Sequence, residues 1–128
     1  MADRMDRGNI RIKRAYAAPA ATDGARVLVD RLWPRGLKKA DAAIDTWMKG
    51  LAPSTELRRW FGHDPARWEE FRRRYSAELR AHPELLEELR NLARSGPVTL
   101  VFAARDETHY EAVALRDQLL GNGETSGG

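Results

Sequence analysis

Residues 27–36 read VLVDRLWPRG, an apolar run that breaks within a few positions into an aspartate, two arginines, a tryptophan and a proline. A strand buried on both faces shows a short continuous apolar run rather than alternation. Val27-Leu28-Val29 is therefore read as such a strand, and Asp30 as the first residue of the loop that leaves it. The run VTLVF at 98–102 carries the same signature. A third strand is expected near the start, where Ile10, Ile12 and Ala15 alternate with Arg11, Lys13 and Arg14.

The intervening chain reads as connections and helices. AAPAATDGA at 17–25 is a small-residue connection with Pro, Asp and Gly. Ser54 can cap a helix whose Leu57, Trp60 and Phe61 share one face, and Gly62 ends it. Asp64-Pro65 is a cap followed by proline at the first helical position, and Trp68, Phe71, Tyr75 and Leu79 continue as an apolar stripe. Pro83 starts a further helix facing inward through Leu85, Leu86, Leu89 and Leu92, stopped by Ser95-Gly96-Pro97. Asp106 can cap a last helix through Ala112, Leu115 and Leu119, closed by Gly121-Asn122. Between 40 and 52 both readings stay open: Ile44, Trp47, Met48 and Leu51 have helical spacing, but Gly50 and Pro53 limit the length.

Strands separated by helical segments predict an α/β fold, a small three-layer sandwich with a mainly parallel sheet, since parallel strands need crossovers. A chain of 128 residues suits one domain, here 9–121, between a flexible N-terminus at 1–8 and a flexible tail at 122–128. The 42% hydrophobic content and four tryptophans fit a globular protein. With 22 Lys+Arg against 19 Asp+Glu the net charge is only +3, so the basic balance is weak evidence for nucleic acid. The absence of cysteine excludes disulfides, thiolate nucleophiles and Cys-ligated metal. The opening MADRMDRGNIRIKRAY has no apolar signal-peptide core, and no run approaches the roughly 20 apolar residues of a membrane span. A cytoplasmic protein with no membrane partner is expected.

Open parallel sheets receive ligands beyond the carboxyl ends of their strands. Asp30-Arg31 and Arg105-Asp106 both fall at such ends. Arg31 and Arg35 could converge on an anion through bidentate hydrogen bonds, with Arg58 joining from the next helix and Ser54 donating a hydrogen bond. Asp30 would orient an arginine or act as a base. The competing structural reading has Asp30 pairing with an arginine to finish the strand while Trp33 plugs the core. Arg105, Thr108 and His109 form a second constellation at a helix start, with free amides and an imidazole that titrates near neutrality. Its competing reading is plain capping by Asp106 beside an exposed histidine.

Other chemistries find little support. His63, His82 and His109 make no HxxxH or HxH pair, so no metal is expected, and no cofactor is implied because GxGxxG, GxxxxGK[ST] and GxSxG are all missing. Arg72-Arg73-Arg74 invites a nucleic-acid reading, but Glu69 and Glu70 precede Arg73 and Arg74 by four residues, the favourable order for helical ion pairs.

RVLVDRLWPRG at 26–36, APSTELRRWF at 52–61 and VTLVFAARDE at 98–107 together resemble the YeaO-like proteins, a bacterial family known as domain of unknown function 488. The resemblance spans roughly residues 8–120 and touches Asp30, Arg31, Trp33, Pro34, Arg35, Gly36, Pro53, Ser54, Leu57, Arg58, Trp60 and Phe61. It implies a small α/β sandwich without an established activity. The chain departs from the family pattern at DETHYEAVAL, 106–115, where His109-Tyr110-Glu111 stands in place of asparagines. The function expected from these readings is binding, with or without transformation, of a small anionic ligand, a phosphorylated one included, in an arginine-lined pocket at the carboxyl edge of the sheet. The alternative is a non-enzymatic module for nucleic acid or an acidic protein partner, acting as monomer or homodimer.

Overall fold

The computed structural model describes residues 10–62, 64–103 and 110–120. The expected flexible ends and the Asp106 cap lie outside the described residues. Four parallel strands form one sheet: β1 (Ile10–Arg14), β2 (Ala25–Leu28), β3 (Thr46–Trp47) and β4 (Val98–Phe102), in the order β1-β4-β2-β3. Every pairing is parallel, and β4 lies between β1 and β2, with Ile10 and Ala25 both in register with Val98. The continuous apolar run of β4 follows from this central place, since all five of its residues are buried. Val29 extends the β2 pairing by donating its amide to the Val101 carbonyl at 3.0 Å.

Among the described residues there are five α-helices: α1 (Lys39–Ala42), α2 (Thr55–Phe61), α3 (Trp68–Arg80), α4 (Pro83–Ser95) and α5 (Tyr110–Leu119). The expected start and stop of α2 are present. The Ser54 hydroxyl accepts the Leu57 amide, and Gly62 closes α2 in a left-handed conformation with its amide on the Arg58 carbonyl. Asp64 and Pro65 cap a 3₁₀ turn, Pro65–Arg67, that leads into α3. One turn of 3₁₀ backbone thus takes the place of the first α-helical turn expected there.

The sheet separates two apolar clusters. On one side Val27, Val29, Val98 and Leu100 pack with Leu57, Phe61, Phe71, Tyr75, Leu79, Leu86, Leu89 and Leu115 from α2 to α5. Phe71 stacks on Phe61 with ring centroids 4.3 Å apart. Burying each such side chain stabilises the fold by roughly 1.5–3 kcal/mol before entropy is counted. On the other side Leu28, Val101 and Ala15 meet Trp33, Leu37, Ile44 and Trp47, contributed by loops and by β3.

That second side also holds a buried ion pair. Arg26 on β2 donates to Asp23 at 2.6 Å and to the Ala42 carbonyl from Nε and Nη2, while the Thr99 hydroxyl donates to the Asp23 carbonyl at 2.8 Å. Burial alone would raise the Asp23 carboxyl, but the Ala20 amide, Lys13 and Arg26 together hold it below the usual aspartate range. The connection read at 17–25 therefore closes one face of the sheet with a paired charge. No helix among the described residues is long and apolar enough to cross a membrane.

Candidate functional site

The carboxyl ends of β2 and β4 meet through Asp30. Its Oδ2 accepts the Ala103 amide at 2.7 Å, and its carbonyl accepts the Trp47 indole N–H at 2.7 Å, so one residue joins the ends of three strands. Burial raises the Asp30 carboxyl above the usual range, a shift that the Ala103 amide and the charge of Arg58 only partly offset. Asp30 makes no ion pair with Arg31 or Arg35; its side chain finishes the strand through a backbone amide.

Arg31 turns to the start of α2. Its Nη2 donates to the Pro53 carbonyl at 3.2 Å and lies 3.5 Å from the Ala52 carbonyl. Both acceptors are neutral, and among the described residues no carboxylate pairs with this guanidinium. Arg31 lines a cleft of about 360 Å³ with Ser54, Tyr75, Glu78 and His82.

Glu78 is the residue that sequence reasoning missed. It lies on α3, a turn beyond Tyr75, and its carboxylate receives the Ser54 amide at 2.8 Å and the Ser54 hydroxyl at 2.6 Å. The hydroxyl donates to Glu78 while accepting the Leu57 amide at 3.1 Å, so Ser54 both caps α2 and ties it to α3. The orphan amide at this helix start thus already binds an anion, one supplied by the chain. The Tyr75 hydroxyl donates to the Leu51 carbonyl at 2.5 Å. Burial, followed by the charges of Glu111, Glu78 and Asp30, pushes the phenol well above its ordinary value. Both hydroxyls in the cleft are engaged in hydrogen bonds within the fold: Ser54 caps α2, and Tyr75 is held neutral.

Arg58 does not join Arg31. Its Nε lies 3.3 Å from Glu111 on α5, and the two line a separate cleft of about 250 Å³ with Thr55, Arg59 and Phe61. Arg35 lines neither cleft: its side chain is exposed and its carbonyl accepts the Tyr16 hydroxyl at 2.9 Å. The structure therefore brings together Arg31 and Ser54 but not the three arginines. Arg105, Thr108 and His109 lie outside the described residues. Among the described residues no three His, Asp or Glu side chains gather closely enough to hold a metal ion.

The arginine run on α3 is committed locally. Arg74 and Arg73 both pair with Glu70, holding its carboxyl below the usual range, Arg72 lies 3.7 Å from Glu69 and 3.8 Å from Asp117, and Arg74 sits over the Trp60 ring. The expected Glu70–Arg74 pair forms, whereas Glu69 meets Arg72 rather than Arg73.

Comparison with known proteins agrees with the resemblance in the motifs. The chain is 44% identical over 111 residues to the uncharacterized protein YeaO of Escherichia coli, covering 87% of this chain and 96% of that one. It is 43% identical over 112 residues to uncharacterized proteins of Mycobacterium bovis and Mycobacterium tuberculosis, covering 88% of this chain and 94% of each. No solved structure matches it. A family profile described as "Inactive DUF488-N3 subclade" matches residues 9–127. The chain therefore belongs to the domain of unknown function 488 family, within its inactive N3 subclade.

Proposed function

We propose that this protein is a non-catalytic binder of a small anionic molecule, received by Arg31 in the cleft it shares with Ser54, Glu78 and His82. The observation that carries the reading is the state of Arg31: backbone carbonyls hold its guanidinium in place, and no carboxylate pairs with it among the described residues. An arginine so held offers a fixed fork of donors with its charge still available, which suits a carboxylate or phosphate. Glu78, across the same cleft, favours a ligand that also carries hydrogen-bond donors or a positive group over a bare polyanion. The description of the subclade as inactive, and the engagement of both cleft hydroxyls in structural hydrogen bonds, favour binding over turnover.

The test is thermal unfolding of the parent and of Arg31→Ala against inorganic phosphate and a panel of small phosphorylated and carboxylated metabolites. A saturable rise in melting temperature that Arg31→Ala abolishes is expected. Equal rises in parent and variant, or none at any concentration, would defeat the reading.

A further inference from the structure

The loop that follows Asp30 carries a second feature that the cleft does not use. Arg35, Lys38 and Lys39 are exposed, and none makes a side-chain hydrogen bond or ion pair among the described residues. Seven other arginines, Arg58, Arg67, Arg72, Arg73, Arg74, Arg90 and Arg94, lie against carboxylates, whereas Arg59 on α2 is exposed and, like the loop cations, makes no ion pair among the described residues. In the same loop Leu32 is 76% exposed, and Tyr16 at 46% is the other exposed large hydrophobic residue among the described residues. Tyr16 is attached to the same loop through its hydroxyl bond to the Arg35 carbonyl.

The loop is held in one shape. The Trp33 indole N–H donates to the Leu37 carbonyl at 2.7 Å, the Leu37 amide to the Pro34 carbonyl at 3.3 Å, and the Trp47 indole N–H to the Asp30 carbonyl. Trp33 and Trp47 meet edge to face with centroids 5.5 Å apart, beneath the loop. An exposed leucine on a rigid loop flanked by unpaired cations is a preorganised surface with little ordering entropy left to lose on association.

We propose that residues 32–39 dock an acidic polypeptide segment bearing an apolar side chain, with Leu32 as the apolar contact and Arg35, Lys38 and Lys39 as the matching charges. Charge complementarity sets the sign of the partner. The exposed leucine favours polypeptide over nucleic acid, because base stacking needs an open aromatic face: both tryptophans here are half-buried with their indole N–H groups bonded, and the Tyr16 ring already has the Arg14 guanidinium 5.6 Å from its centroid. A bilayer is disfavoured because one leucine offers little area to insert. The surface does not depend on Arg31 or on the cleft.

The test measures binding of a short fluorescent glutamate-rich peptide with one central leucine to the full chain, beside the same peptide with serine at that position. The leucine peptide is expected to bind roughly tenfold more tightly, the worth of burying much of one leucine. Leu32→Ser should erase that preference, and Lys38→Glu with Lys39→Glu should weaken both peptides, all without lowering the melting temperature. Equal affinity for the two peptides, or no change in Leu32→Ser, would overturn the proposal. So would tighter binding of an oligouridine RNA, or of phosphatidylserine vesicles, than of the leucine peptide. Arg31→Ala should leave this binding unchanged while abolishing the phosphate response, so the two proposals fail separately.

Discussion

The carboxylate of Glu78 receives both the amide and the hydroxyl of Ser54, at 2.8 and 2.6 Å, across 24 residues of sequence. This double hydrogen bond fixes the start of α2 against α3 and forms one wall of the Arg31 cleft. Glu78→Ala is expected to destabilise the fold by roughly 1.5–3 kcal/mol, the usual worth of hydrogen bonds to a charged group. Ser54→Ala also removes the helix cap, costing about 1 kcal/mol in its own right. In urea unfolding, the double variant should lose less than the two single losses added together, because both remove the same contact.

Asp30 and Asp23 should respond to acid in opposite ways. The folded-state value of Asp30 lies above its unfolded value, so the folded chain holds the proton longer as pH rises. Its contribution is full below the ordinary aspartate range and is lost as pH rises through the raised folded value. Asp23 lies below its unfolded value, so its contribution is full above the ordinary range and is lost as pH falls through the depressed folded value. Urea unfolding over an acidic pH series checks both. The stability of the parent relative to Asp30→Asn should fall with rising pH, and relative to Asp23→Asn it should grow.

Two glycines with positive φ separate close packing from backbone strain. A Cβ on Gly24, φ 67°, would lie 2.1 Å from the Pro97 carbonyl oxygen, the acceptor of the Ala25 amide. One on Gly36, φ 78°, would meet nothing within 4 Å. Gly36→Ala should destabilise by roughly 1–2 kcal/mol, the strain of left-handed backbone alone. Gly24→Ala should destabilise by clearly more, since the obstacle is backbone that cannot move aside. Melting temperatures of the two variants make the comparison.

Much of the fold was legible because its signals are local. VTLVF sits centrally and is buried throughout, and the stripes of α3 and α4 face one core, so apolar pattern and final place agree. Residues 40–52 resisted because they cross between layers: Ile44 and Trp47 pack on the loop side of the sheet, whereas Met48 and Leu51 pack on the helix side. Their spacing mixes two burial patterns, and the segment contains a short helix, a two-residue strand and a 3₁₀ turn. The Arg26–Asp23 pair was hidden inside what read as a plain connection. At the site, Arg31 and Ser54 were placed near each other by the sheet-edge rule. Glu78 carried no signal, because a glutamate between two buried positions of an amphipathic helix looks like any solvent-facing one. Arg58 was misgrouped because its distance along the chain says nothing of Glu111, the partner that draws it to α5.

The most direct measurement of the central claim is a phosphate titration followed by nitrogen-edited NMR, reading the Arg31 guanidinium together with the backbone amides of Ala52 and Ser54. Saturable shifts concentrated on these groups, with Arg35 and Arg58 left unmoved, are the expected result. Shifts that grow without saturation, or that centre on Arg35 or Arg58 instead, would contradict it.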